Sequence, residues 1–248
     1  SPQGKTAYLT EPYYKPPHSE SDSYKGYPLI PQSEVSKWVK KYADLNIPIM
    51  AHANGDAAAD MLIKAVKDAD ITSDHRTIMI HAQTVREDQL DQMNELKIIP
   101  SYFSTHTFYW GDWHRDSVFG QDRAMRISPT KSTLNRKMPF TVHNDAPVVP
   151  PDMIRLLWST TNRKTRSGKV LGEEQKISTY EALKAITINA AYQHFEDDIK
   201  GTIEVGKLAD LVVLSQNPLS MKTQDLLNLS IVATYSHGQK IYQATSEK

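Results

Sequence analysis

Apolar residues along this chain follow two habits. Short dense runs stop at a polar residue, and the stretch after each run repeats its apolar positions at three- and four-residue intervals. Ile47-Pro-Ile-Met-Ala-His52 is the first such run. It breaks into Ala-Asn-Gly-Asp56, a turn sequence. Met61, Leu62, Ala65, Val66 and Ala69 then share one side of a helix that Asp56 is placed to cap. The design returns at Thr77-Ile-Met-Ile-His81-Ala-Gln. Thr84-Val-Arg-Glu87 follows in the spacing of a capping box, then Leu90, Met93 and Leu96 at helical intervals. Lys97-Ile-Ile-Pro-Ser-Tyr-Phe103 reads as a third strand, and Pro139 to His143 as a fourth, which delivers Asp145. A short helix at Ser132 to Lys137 precedes the fourth strand. Pro150-Pro-Asp opens a helix through about Ser159, with Met153, Ile154, Leu157 and Trp158 apolar. One more helix, near Glu34–Leu45, is expected before the first run, capped by Ser33 and carrying Val35, Trp38, Val39 and Tyr42 on one face. Residues 46–160 thus hold four strand–helix pairs in the order βαβαβαβα. The expected class is α/β, as half of a TIM-type (β/α)8 barrel.

The flanking stretches lack this rhythm. Residues 1–33 are rich in Pro, Tyr, Ser and Gly and read as a long loop. Thr105-His-Thr-Phe-Tyr-Trp-Gly-Asp-Trp-His114 reads as an aromatic loop, and residues 162–176 as an exposed one whose Lys and Arg at 163–169 form a solvated face. Ser178-Thr-Tyr-Glu181 is a second capping box, opening a helix through about Tyr192. After Gly201 the texture turns to β. Two short strands are expected around the Gly206-Lys207 turn within Gly201–Leu214, then a hairpin of Ile231–Tyr235 and Gln239–Gln243 joined by His-Gly. The division that follows is a partial barrel over 1–198 and a small β unit over 199–248.

Charge and composition narrow the function classes. Lys plus Arg and Asp plus Glu are each 29, giving a formal net charge of zero, which argues against nucleic acid or an anionic membrane as partner. No run approaches the ~20 apolar residues of a membrane span. The absence of cysteine excludes disulfides and thiolate metal sites. The first residues, Ser1-Pro-Gln-Gly-Lys, do not have the pattern of a signal peptide, so the expected location is cytoplasmic.

The candidate chemistry sits at the strand ends. In a β/α barrel the C-terminal ends of the strands form the catalytic face. His52, His81 and Asp145 occupy that position on three strands. Histidine nitrogen and carboxylate oxygen are the ligand types of a catalytic divalent metal such as zinc, which activates water near neutral pH while a carboxylate moves the proton. The plain alternatives are strand histidines that pack and an Asp that begins a turn before Ala-Pro. His143, two residues before Asp145, faces the same way in a continuing strand and is either a substrate contact or a packed residue. In the aromatic stretch, His106, Tyr109 and Trp110 are candidates for a substrate wall, while His114 reads as packed.

At these residues the chain resembles the amidohydrolase superfamily, and within it the amidohydrolase family 3 branch that includes N-substituted formamide deformylase-like enzymes. The resemblance rests on Met50-Ala-His-Ala-Asn-Gly-Asp56, Met79-Ile-His-Ala-Gln83, Thr141-Val-His-Asn-Asp-Ala-Pro-Val148, Thr187-Ile-Asn-Ala-Ala191 and, most strongly, Gly201-Thr-Ile-Glu-Val-Gly-Lys-Leu-Ala-Asp-Leu-Val-Val-Leu214. It implies a barrel with a small β-sandwich, of which residues 199–248 are the C-terminal part. It also implies His52, His81 and Asp145 as ligands of one or two divalent ions, zinc being the expectation. Asp145 is implied as the general base, and the reaction as hydrolysis of a C–N bond in a small-molecule amide or cyclic amide. The family's His-x-His pair and bridging lysine have no counterpart here, so the chain is expected to be the C-terminal portion of a longer enzyme. Its partner is then a missing N-terminal portion or another copy. The competing expectation is a half-barrel that self-associates without turnover, and a third is a phosphoester hydrolase on the same fold.

Overall fold

A computed structural model describes residues 1–245. Its framework is a parallel sheet in sequential order, built of β1 (Met50–Ala53), β2 (Ile78–His81), β3 (Ile99–Tyr102) and β4 (Thr141–Val142). Between the strands run α2 (Asp56–Ala69), α3 (Glu87–Glu95) and a three-helix excursion, α4 (His106–Trp113), α5 (Gly120–Met125) and α6 (Thr130–Asn135). Before β1 lies α1 (Gln32–Asp44), and after β4 comes α7 (Met153–Asn162). The βαβαβαβα order of the sequence is therefore present, and the sheet is half of an eight-stranded barrel, open at β1 and at β4.

Register explains which residues face where. Met50 pairs with Ile78, His52 with Ile80, Ile80 with Ser101 and Ser101 with Thr141, so His52, Ile80, Ser101 and Thr141 form one row on the concave side. The opposite face carries Ala53, Met79, Tyr102 and Val142. There they bury against Ala59, Leu62 and Val66 of α2, Leu90 and Met93 of α3, and Leu156 and Leu157 of α7. Each such leucine contributes roughly 1.5–3 kcal/mol by leaving water. Leu226 and Leu229 from the C-terminal region join this same core.

Several local expectations are corrected. Helix α1 starts at Gln32, one residue before Ser33, with extended Pro31 as its cap. Asp56 is the first residue of α2 rather than its cap, and its carboxylate accepts instead from the Thr10 amide at 3.0 Å, which pins the N-terminal loop. The Thr84 capping box does not form. Thr84 Oγ1 donates to the Asn54 carbonyl, and α3 is closed by Gln89 Oε1 accepting from the Arg86 amide at 2.9 Å. Residues 105–114 are helix α4 running into a π-helical turn, His114–Val118, not a loop. The buried side (His106, Thr107, Gly111 and His114) is polar or glycine while the aromatic Trp113 is exposed, so the apolar stripe by which a sequence announces a helix is missing. The basic stretch is not wholly a solvated face either. Arg163 is 1 % exposed, and its guanidinium donates to the carbonyls of Leu171, Ile127 and Ser128 at 2.7, 2.7 and 3.0 Å.

Ser178 does cap α8 (Thr179–Ile186) by accepting from the Glu181 amide. The helix breaks at Thr187, and α9 (Ile188–Gln193) follows. The C-terminal sheet is antiparallel, β5 (Leu211–Leu214), β6 (Ile231–Ser236) and β7 (Gln239–Gln243). His237 and Gly238, with φ of 50° and 77°, make the tight turn expected of the hairpin. Of the two strands expected in Gly201–Leu214, only β5 forms. The end of the expected β unit, residues 246–248, lies outside the described residues.

Candidate metal centre

The concave face ends in a cluster of imidazoles at the C-terminal ends of the strands. A regular β2 would send His81 to the same face as its register partner Ala53. Instead His81 and Ala82 both adopt positive φ, 72° and 45°. The His81 ring lies inside, with ring centroids 4.6 Å from His52 and 5.1 Å from His143. Asp145 also has a positive φ, 56°. Non-glycine residues held in this region cost energy and tend to mark functional positions.

His81, His143 and Asp145 each present one ligand atom, all within 4.8 Å of one another, the only such group among the described residues. His143 Nε2 lies 3.3 Å from His81 Nδ1. Burial, reinforced by the His143 and His52 rings, pushes His81 down to about 3, and burial with His52 beside it pushes His143 down to about 4. Both imidazoles are therefore neutral at physiological pH and keep lone pairs for a cation. Two neutral nitrogens and a carboxylate oxygen, partly buried, fit the three-ligand set of a catalytic divalent metal. The side-chain oxygens of Asn54 and Asn144, buried next to this cluster in sequence and without a hydrogen-bond partner, add polar capacity that the protein alone leaves unused.

The sequence candidates are placed as follows. His81 and Asp145 come together, and His143 stands with them. His52 is exposed, its Nε2 3.2 Å from Asn54 Nδ2, so it adjoins the group of three without being part of it. Phe103 stacks on His143 at 5.7 Å and meets His106 edge-on at 4.6 Å. Trp110 lies against both Phe103 and His106, and Tyr109 sits one ring further out, under Arg166. His106 is 2 % exposed and bonds His114 through Nδ1 at 3.1 Å; Gln83 Nε2 reaches the same His114 nitrogen at 3.2 Å. The sequence reading missed Phe103, Gln83 and Ser101. Ser101 carried a signal: it is the polar residue of an otherwise apolar strand, and it faces inward.

The sequence matches the amidohydrolase family over residues 1–242. This chain belongs to the amidohydrolase family. Among its relatives is the N-substituted formamide deformylase of Arthrobacter pascens, 25 % identical over 230 residues, which are 92 % of this chain and 42 % of that protein. Protein LONG AFTER FAR-RED 3 of Arabidopsis thaliana is 27 % identical over 222 residues, 88 % of this chain and 38 % of that one. An uncharacterized metal-dependent hydrolase from Pyrococcus horikoshii OT3 superposes with a TM-score of 0.77 at 25 % identity, covering 90 % of this chain and 44 % of its own. The amidohydrolase chain thus spans under half the length of these relatives. Among the described residues no helix is long and apolar enough to cross a membrane.

Proposed function

We propose that this amidohydrolase chain carries the catalytic carboxylate and part of the metal site of an enzyme that hydrolyses a C–N bond in a small-molecule amide or cyclic amide. The convergence of His81, His143 and Asp145 carries the reading. A divalent ion, zinc by ligand type, would be held by His81, His143 and Asp145 with His52 adjacent, and when bound it would polarise the substrate carbonyl and lower the pKa of water. Asp145 takes the proton as water oxygen bonds to the carbonyl carbon. It then returns that proton to the amide nitrogen as the C–N bond breaks, leaving a carboxylic acid and an amine. Phe103, His106 and Trp110 form an aromatic wall beside this point and favour an apolar substituent on the amide, with Tyr109 at its outer end. The name of the Arthrobacter relative, a formamide deformylase, agrees with that bond type.

The test is the zinc-to-protein ratio of the purified chain, by elemental analysis, for the unaltered protein and for His81→Ala, His143→Ala and Asp145→Asn, alongside a panel of amide and phosphoester substrates. A ratio near one that falls in the variants supports the centre. A ratio near zero in folded, zinc-treated protein refutes it for this chain. Turnover of phosphoesters alone would overturn the C–N assignment.

A second reading is favoured by the open edge of β1. A groove of about 860 Å³ runs between α1 and β1, lined by Leu29, Trp38, Val39, Tyr42, Ile47 and Met50. Leu29 is 92 % and Met50 52 % exposed. An unpaired strand edge over apolar side chains invites another polypeptide. On this reading the half-barrel associates, with a second copy or with further barrel, and has no turnover alone. Sedimentation over a concentration series tests it, and a strict monomer counts against self-association.

A further inference from the structure

Asn54 follows the last residue of β1, two positions after His52. Its backbone is pinned on both sides. The Asn54 carbonyl accepts from the Thr84 amide at 3.2 Å and from the Thr84 hydroxyl at 3.1 Å. Gly55, next in the chain, packs so closely on the N-terminal loop that a Cβ there would lie 1.9 Å from the Tyr8 carbonyl oxygen. The Asn54 side chain is 5 % exposed. Among the described residues its Nδ2 meets His52 Nε2 at 3.2 Å, and its Oδ1 has no hydrogen-bond partner. The carboxamide thus commits its hydrogen bonding to one imidazole nitrogen.

Proton counting fixes what that contact does. An amide nitrogen has hydrogens to give and accepts none, so Asn54 Nδ2 donates and His52 Nε2 accepts. An imidazole nitrogen that accepts carries no hydrogen of its own, so the His52 ring is neutral with its hydrogen on Nδ1. The lone pair that a cation needs therefore sits on Nε2, under the Asn54 N–H. The His52 ring lies edge-on to His81 with centroids 4.6 Å apart, yet neither of its nitrogens joins the group formed by His81, His143 and Asp145. The amide accounts for this. A ring tied to a buried side chain on a pinned backbone leaves its place only by giving up the bond.

We propose that Asn54 is a positioning residue for His52: it keeps the lone pair on Nε2 and holds that nitrogen back from the centre until an ion displaces the amide. The second half of the inference rests on the metal reading, whereas the first half concerns the metal-free protein alone.

The experiment uses the full 248-residue chain and two readouts. Long-range 1H–15N spectra of the metal-free protein report the His52 tautomer, assigned with His52→Gln. Zinc affinity is measured by competition with a chelating dye. The unaltered protein is expected to show the hydrogen on Nδ1. Asn54→Asp keeps the shape and puts an acceptor where the donor stood, so it is expected to move the hydrogen onto Nε2, a change that a merely structural role would not produce. Asn54→Leu keeps the volume and has no donor. It is expected to lose the dominance of the Nδ1–H form and to bind zinc about 2–10-fold more tightly, because no hydrogen bond to Nε2 has to be broken. That gain should vanish when His52→Ala is introduced into both proteins. A hydrogen on Nε2 in the unaltered protein, or an unchanged tautomer in folded Asn54→Asp, overturns the inference. Zinc binding that is unchanged or weaker in folded Asn54→Leu, or a gain that survives His52→Ala, overturns it as well. If Asn54→Leu does not fold, Asn54→Asp decides through the tautomer. The Nδ1–H form in a protein that takes up no zinc leaves the hold of Asn54 on His52 standing and removes the metal reading instead.

Discussion

Lowering the pH from 7 to 5 in the absence of metal should strip this chain of a large part of its stability, because its imidazoles are buried neutral. His81 and His114 are pushed down to about 3, and His143 to about 4, in each case first by burial. An unfolded histidine titrates near ~6.5. Below that pH the unfolded chain binds protons that the folded chain refuses, so stability falls as pH falls and goes on falling until each folded value is reached. At pH 5 each of the three groups costs about 2 kcal/mol, at ~1.4 kcal/mol per pH unit below ~6.5, and together they cost about 6 kcal/mol. That is comparable to the ~5–15 kcal/mol of a typical domain. Carboxylates do not confuse the window. Asp88, Asp91 and Asp197 are held below their ordinary range by Arg86, Arg136 and Arg76, so their contribution persists above the unfolded value and is lost only at more acid pH. Urea denaturation at pH 7, 6 and 5 in chelator-treated buffer measures the effect. His106, which burial also holds well below its ordinary value, adds a fourth group, so the slope between pH 6 and 5 should correspond to about four protons taken up on unfolding. A change under ~1 kcal/mol across the range would show that these rings are hydrated and charged in the fold, and the electrostatic argument would fail.

Two further expectations test the packing. Arg163→Leu removes the donor to three buried carbonyls and should cost about 3–5 kcal/mol, seen as a fall in Tm of roughly 6–20 °C, because each orphaned group is left dry; a Tm within ~2 °C of the parent would mean that water replaces the guanidinium. Gly55→Ala places a Cβ 1.9 Å from the Tyr8 carbonyl oxygen, so the segment around Tyr8 must move away from β1. Its cost should be about 1–3 kcal/mol, with faster proteolysis within residues 6–10 than in the parent, and an unchanged cleavage pattern would show that the contact yields without loosening.

Much of the architecture was written in local pattern. The dense runs before His52 and His81, the turn residues after them and the apolar stripes of α2, α3 and α7 each need only neighbours in sequence to be read, and parallel order follows from their alternation with helices. The Ser178 cap and the His-Gly hairpin turn are local for the same reason. Tertiary contact decided the remainder. Thr84 forgoes its own helix because both its amide and its hydroxyl donate to the Asn54 carbonyl, thirty residues earlier. Arg163 is buried because the adjacent carbonyls of Ile127 and Ser128, some thirty-five residues earlier, and that of Leu171, eight residues on, converge on it, which its charged neighbours in sequence conceal. At the centre, strand-end position brought His81 and Asp145 into view. Only the left-handed turn at His81 and Ala82 aims that ring inward, against the alternation its strand would impose. His143 stands beside them because β4 lies next to β3 and Ser101 holds its far nitrogen, a partnership across forty-two residues. Periodicity reports which face a side chain leaves by; which nitrogen it presents, and to what, is settled by groups that meet only when the sheet has formed.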